Sequence, residues 1–302
     1  MENKYITKSK RLLSKERIDK LHSMLSSCNL CPRKCSVNRL NGEKGFCNCS
    51  NDIYVSSYNL HFGEEPPISG FNGSGTIFFT HCNLGCIFCQ NYPISQLGNG
   101  NKVTNKELAS IMLKLQKMGA HNINLVTPTH VVPYIADSLF LAYQEGLDIP
   151  LVFNSGGYES LEVIKLLEGI IDIYMPDSKY FSNEFGKKYS SAPDYSIINI
   201  NILKEMYRQV GDLILDEKGV AKKGLIIRHL VLPEGIEDSI MVLRAIANNL
   251  SKKVYLSIMS QYHPAYKSTK DPIISRRLKN AEYKQVLEEA DRLGFVNGYR
   301  QE

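Results

Sequence analysis

The sequence predicts an α/β protein, an open six-stranded parallel partial (β/α) barrel behind an N-terminal Cys-rich segment. Three observations predict it. From residue 76 onward, short apolar runs alternate with helical patterns, the mark of parallel strands with helices outside. Six such units are present, whereas a closed barrel needs eight strands and typically ~250 residues. All eight cysteines precede residue 90, which sets a Cys-rich part apart from the repeating part. Pattern alone leaves a flat, doubly wound sheet as the alternative.

The elements follow in order. The first ~25 residues read as a charged helix with Leu12, Leu13, Ile18, Leu21 and Leu25 along one stripe. Residues 52–58 alternate around Ile53, Val55 and Tyr58 and predict a short strand, and 63–75 is a loop rich in Gly and Pro. Strands are then expected at 76–80, 122–126, 150–154, 171–175, 225–231 and 253–259. Between them run helices, the first announced by a Thr104/Glu107 capping box and ended by Gly119. Two units are expected, residues 1–75 as helix and metal-binding segment and residues 76–302 as barrel.

Composition excludes several classes. With 43% hydrophobic and 22% charged residues the balance is that of a water-soluble globular protein. The net charge of +5 is spread along the chain without a long basic run, so no nucleic-acid partner is expected. No stretch approaches the roughly 18 apolar residues of a membrane helix, and residues 1–17 lack the apolar core of a secretory signal. A cytoplasmic location is expected, and in a reducing compartment clustered thiols hold metal more often than they form disulfides.

The central cluster is His81-Cys82-Asn83-Leu84-Gly85-Cys86-Ile87-Phe88-Cys89-Gln90-Asn91, of the form CxxxCxxC, on the loop after the first barrel strand. Three thiolates serve three irons of a four-iron cluster, which normally takes four cysteines. The fourth iron is then free for an outside ligand. A zinc knuckle that borrows His81 is the competing reading. CxxxCxxC with an aromatic before the last Cys resembles the radical S-adenosylmethionine (SAM) superfamily. The resemblance implies that Cys82, Cys86 and Cys89 bind a 4Fe-4S cluster, that SAM chelates the open iron, and that Phe88 neighbours the adenine. It implies reductive cleavage of SAM to a 5′-deoxyadenosyl radical that abstracts hydrogen, with an electron donor such as flavodoxin or ferredoxin as partner.

The other strand ends supply the remaining candidates, because active-site residues of such folds gather beyond the C-terminal ends of the strands. Thr127 and Thr129 occupy the place of the family's Gly-Gly-Glu-like SAM motif, without its glycines or its acid. Asn154 and Ser155 follow the third strand and are candidates for ribose or carboxylate oxygens. Asp177-Ser178-Lys179 resembles the Asp-x-Lys segment of glycyl-radical activating enzymes. Arg228 lies inside an apolar strand, where a guanidinium needs a partner, and a SAM carboxylate is a candidate. Gln261 follows the sixth strand. Thr129 also reads as a helix cap, Asp177 as a turn cap, Lys179 as solvated and His229 as a bonded core histidine.

The segment Cys28-Asn29-Leu30-Cys31-Pro32-Arg33-Lys34-Cys35, followed by Cys47 and Cys49, has the ligand count for zinc or a second Fe-S cluster at Cys28, Cys31, Cys35 and Cys47. Together with the loop His61-Phe62-Gly63-Glu64-Glu65-Pro66-Pro67-Ile68-Ser69-Gly70, it resembles the pyruvate formate-lyase activating enzyme-like branch. That branch implies a protein substrate whose backbone glycine loses a hydrogen. The competing functions are the same radical chemistry on another peptide or a small molecule, and a non-catalytic electron-transfer or zinc-binding protein.

Overall fold

A computed structural model describes residues 13–301. The beginning of the expected first helix, Leu12 included, lies outside them. Within them, α1 (Lys15–Ser23) starts at Ser14, whose hydroxyl accepts from the Arg17 amide at 3.3 Å, and buries Ile18 and Leu21.

The strands are β1 (Ile53–His61), β2 (Ser74–Phe79), β3 (Asn101–Val103), β4 (Ile123–Val126), β5 (Leu151–Ser155), β6 (Ile173–Pro176), β7 (Ile214–Leu215), β8 (Ala221–Leu230), β9 (Tyr255–Met259) and β10 (Gly298–Arg300). Their order is β10-β9-β8-β6-β5-β4-β2-β1-β3, with β7 hairpinned onto β8. All neighbours from β10 to β2 pair in parallel. The six expected strands are β2, β4, β5, β6, β8 and β9, side by side. A seventh parallel strand, β10, extends one edge; its Gly-Tyr-Arg sequence is exposed and carries no apolar run. At the other edge β1 pairs antiparallel with β2 and β3 with β1. Residues 53–61 are therefore part of the same sheet as the barrel strands.

Helices cover the outside: α4 (Asn105–Lys117), α5 (Val132–Gln144), α6 (Leu161–Leu166), α7 (Asn183–Ser190), α8 (Tyr195–Val210), α9 (Ile236–Asn249) and α10 (Asn280–Leu293), with α2 (Pro66–Ser69) and α3 (Tyr92–Ser95) as short turns in loops. The Thr104/Glu107 capping box opens α4, with the Glu107 amide donating to Thr104 Oγ1 at 3.2 Å. None of the described helices is long and apolar enough to cross a membrane.

Side chains alternate across each strand, and this sorts them into two layers. Leu125, Phe153, Tyr174, Ile227 and Ile258 face outward into the main core with Met112, Leu115 and Leu139 of the helices. The inward-facing Val152, Ile173, Met175 and Ile226 form a separate cluster closed by Ile68 of α2. Fully burying one such aliphatic side chain is worth about 1.5–3 kcal/mol, so Ile68, fully buried, holds its loop inside the sheet's concave face. One cavity of about 1070 Å³ is bordered by His61, Phe78, Val126, Asn154, Arg228 and Tyr299, from β1 through β10. Strands at opposite edges share a single lumen, so the open sheet is curled.

Candidate functional site

The loop after β2 carries the three central cysteines. It is fixed by long-range backbone bonds: the Gly85 amide donates to the Ser190 carbonyl at 3.2 Å and that of Ile87 to the Tyr189 carbonyl at 2.9 Å. Leu84 packs over Gly156, where a Cβ would lie 2.7 Å from its Cδ1. Gly157, at φ +71°, has no room for a side chain because the Asp177 carbonyl oxygen would be 2.0 Å away. The glycine pair after β5 thus serves loop packing.

Cys82, Cys86 and Cys89 are unbridged, and each has a hydrogen-bonding group on its sulfur. The Leu84 amide donates to Cys82 Sγ at 3.3 Å, and the Ser190 hydroxyl lies 2.9 Å from Cys86 Sγ. The Ser95 hydroxyl lies 3.1 Å from Cys89 Sγ. Burial pushes the Cys82 and Cys86 thiols up, and the charges of the neighbouring cysteines push further; Lys179, near Cys86, opposes them. Buried thiols that repel one another as anions need a cation among them to deprotonate. Iron supplies that cation, and the hydroxyl and amide donors stabilise thiolate sulfur. The donor set therefore fits an iron–sulfur cluster. Among the described residues no three His, Cys, Asp or Glu side chains are grouped so as to hold one metal ion.

From Cys86 a run of charges leads into the lumen. Lys179 Nζ donates to Asp177 Oδ2 at 2.6 Å, and Arg228 Nε donates to Asp177 Oδ1 at 3.0 Å. Arg228 Nη2 donates to Asn154 Oδ1 at 2.8 Å, and its Nη1 lies 3.4 Å from Glu64 Oε2. Asn124 Nδ2 donates to Glu64 Oε1 at 2.9 Å. Burial alone would raise the Asp177 carboxyl, yet Lys179 and Arg228 outweigh it and hold it low. Burial raises Glu64, against the pull of Arg228.

The structure brings Asn154, Asp177, Lys179 and Arg228 together and leaves other candidates apart. Gln261 borders the cavity, its backbone N–H donating to Gln301 Oε1 at 3.1 Å and its side-chain Oε1 accepting from Gln301 Nε2 at 2.9 Å. Phe88 is buried, its ring meeting Tyr262 edge-on at 6.0 Å. Thr127 sits in the left-handed region at φ +60° with its amide on the Asn154 carbonyl at 2.8 Å. Thr129 donates to Glu159 Oε1 at 2.9 Å. Ser155 Oγ accepts from the Gly157 amide at 3.3 Å. His229 is a core histidine bonded through Nδ1 to the Ser178 carbonyl at 2.6 Å, and burial lowers it to about 4.

Sequence reasoning did not single out Glu64, Glu65, Glu159, Ser190 or Arg33. Glu159 is buried, which raises it to about 7. Arg33 donates to the Asn83 carbonyl at 3.0 Å and the Ser190 carbonyl at 3.2 Å, with its guanidinium 3.7 Å above the Phe46 ring. It ties the N-terminal cysteines to the central ones. In that segment Cys28, Cys31 and Cys49 are buried, and Cys35 and Cys47 are half-buried. Burial pushes Cys31 up to about 12, with Cys47 and Cys28 close enough to add to it. The Cys49 thiol holds Cys47 down at about 6.

Comparison with known proteins agrees with the motif. The radical SAM superfamily profile matches residues 76–220. The chain is 33% identical to the Methanocaldococcus jannaschii protein MJ0674 over 286 residues, covering 91% of this chain and 78% of that one. It is 23% identical to MJ0808 of the same organism over 277 residues, covering 84% of this chain and 75% of that one. Among solved structures it resembles Streptococcus suis SuiB bound to S-adenosylmethionine, with a TM-score of 0.48, 16% identity, and coverage of 74% of this chain and 45% of that chain. The chain thus spans less than half of SuiB. With the profile match across the cysteine loop and a relative one-third identical over most of both chains, the protein belongs to the radical SAM superfamily.

Proposed function

We propose that this chain reductively cleaves SAM and uses the 5′-deoxyadenosyl radical to take a hydrogen atom from a substrate held in the barrel cavity. Family membership implies the cluster, SAM and radical chemistry. Cys82, Cys86 and Cys89 would hold a four-iron cluster, which would supply the electron that splits the sulfonium. The observation that carries the reading is the cysteine triplet on the loop after β2, whose following residue Asn91 borders a cavity of about 1070 Å³. Single-ligand pockets run to roughly 300–1,000 Å³, so there is room for SAM and a second molecule.

The protein's own groups have distinct roles in this reading. Lys179 and Arg228 attract the SAM carboxylate, while Asp177 between them fixes their positions. Asn154 and Gln261 offer amide groups to the ribose or the amino acid moiety, and Phe88 lies on the adenine side. Thr127 and Thr129 remain candidates by position, Thr129 through its bond to Glu159.

Two targets are compatible with this chemistry. The Asp177-x-Lys179 resemblance supports a glycyl-radical activase acting on a backbone glycine. The charged lumen supports the other reading, a small molecule or peptide that enters the cavity. A flavodoxin- or ferredoxin-like donor is part of the proposal, and the exposed Phe46 ring, 3.2 Å from where a Gly85 Cβ would stand, marks the cysteine loop's approach to the surface. A second cluster or zinc on Cys28, Cys31, Cys35 and Cys47 is supported by the closeness of Cys47 and of Cys28 to Cys31. Iron and zinc analysis of Cys31→Ala tests it.

The central experiment is anaerobic reconstitution, reduction and assay for 5′-deoxyadenosine. Wild type is expected to produce it, and Cys82→Ala, Cys86→Ala and Cys89→Ala are each expected to abolish it. Production surviving any one of these changes refutes the cluster assignment. Absence of production from wild type with a full iron complement favours the non-catalytic alternative. Deuterium transfer from a labelled glycine separates the two targets.

A further inference from the structure

Two polar groups on the cavity have no partner. Glu65 is 6% exposed and borders the cavity, and its Oε2 receives no hydrogen bond. Ser257, on the inward face of β9, is fully buried and borders the same cavity, and its Oγ is likewise unpartnered. Tyr255 stands two residues earlier on that face; burial, then the charge of Glu65, raises its phenol to about 12. The nearby Arg228 is already engaged through three nitrogens with Asp177, Asn154 and Glu64. Glu64 has Asn124 and Arg228, whereas Glu65 feels the charge of Arg228 but receives no hydrogen bond on Oε2.

The charges inside the lumen are unequal. Of the charged residues that border it inside the mouth, Glu64 and Glu65 are two carboxylates against one cation, Arg228. Lys218 also borders the cavity, at its exposed mouth with its ammonium 5.2 Å from the Phe71 ring centroid. A buried carboxylate oxygen that lacks a hydrogen bond is costly until a donor arrives. Unpaired groups of this kind are kept where a ligand completes them.

We propose that the cavity binds an extended organic cation, a primary ammonium or guanidinium on an alkyl chain, with its charged end on Glu65 and Ser257. This rests on the radical SAM reading and names the class of its substrate. Tyr255 to Met259 is four strand steps, about 13 Å at ~3.3 Å per residue. Met259, Gln261 and Asn91 border the cavity at the cysteine-loop end. Glu65 is thus a remote anchor, and its binding energy holds the reacting carbon beneath the cluster loop.

The test uses hexylammonium and hexylguanidinium against hexanol and hexanoate, titrated into the reconstituted protein without SAM or reductant and read as melting-temperature shift. Both cations are expected to stabilise wild type saturably, with apparent affinity at least about tenfold above hexanol, one charge-assisted contact's worth, and hexanoate not at all. Glu65→Gln is expected to erase the tenfold preference, and Ser257→Ala to reduce it. Equal response to cation and alcohol, or a preference that survives Glu65→Gln, overturns the proposal. Competition by SAM for the hexylammonium site overturns it too, since Glu65 would then serve the cofactor. No turnover is involved, so failure here is distinct from failure of wild type to form 5′-deoxyadenosine.

Discussion

Arg228 Nε and Lys179 Nζ bind opposite oxygens of Asp177, at 3.0 and 2.6 Å. The three residues come from β8 and from the turn after β6, and a parallel bridge pairs Asp177 with Arg228 themselves. One carboxylate thus holds two largely buried cations, each aimed by the bond it makes. The arrangement keeps positive charge beside the cysteine loop without letting either side chain collapse onto the thiols.

Asp177→Asn leaves two cations with a neutral partner. Removing one member of a buried charge group costs about 3–5 kcal/mol, and urea denaturation of the variant is expected to show a loss of that size. The Asp177 carboxyl is held below its usual value, so its contribution is present above that usual value and is lost as pH falls through the lowered one. The gap between wild type and variant should therefore narrow in acid. A gap under ~1 kcal/mol at neutral pH would mean the group is solvated like a surface pair.

Ser190 links Tyr180 to Cys86, its hydroxyl 2.8 Å from the phenol and 2.9 Å from the sulfur. With Tyr180 donating to it, the serine has its own proton free for a thiolate. Hydrogen bonds to sulfur are among the terms that set cluster potentials. Ser190→Ala is expected to lower the midpoint potential of the reconstituted cluster in an EPR-monitored titration, with iron content unchanged. An unchanged potential would show that the hydroxyl points elsewhere once iron is bound.

The parts legible in the sequence were those written locally. Strands β2, β4, β5, β6, β8 and β9 are buried on both faces and read as apolar runs between turn signals. The three-residue β10 has no such run and is held only by pairing with β9. The cysteine triplet was legible because ligand spacing is a local property. Ser190 was not, since it meets Cys86 across 104 residues, and no pattern announces such a contact. Glu64 and Glu65 were hidden for a related reason: acids before two prolines look like a solvated loop until Ile68 is seen to anchor that loop inside the sheet.

Glu159 carries a pH signature of the opposite sign to Asp177. Burial raises its carboxyl from 4.5 to about 7, so the folded state binds a proton that the unfolded state has released. Stability from this group is full below the unfolded value and falls as pH rises to about 7. Glu159→Gln in metal-free protein should match wild type near pH 5. By pH 8 it should be the more stable, by on the order of 2–3 kcal/mol. Thermal melts across that range check it, and a constant or shrinking difference would show that Glu159 has a cationic partner.

Arg33 makes the last prediction, because its geometry distinguishes shape from charge. Its guanidinium reaches the carbonyls of Asn83 and Ser190 while lying flat on Phe46, so one plane satisfies two acceptors and an aromatic face. A lysine keeps the charge but has neither the fork nor the plane. Loosening Asn83 loosens the loop between Cys82 and Cys86, and partners that orient metal ligands are typically worth about 10–100-fold in affinity. Arg33→Ala and Arg33→Lys are both expected to release iron to a colorimetric chelator on the order of tenfold faster than wild type. A lysine variant as slow as wild type would reduce the role of Arg33 to its charge alone.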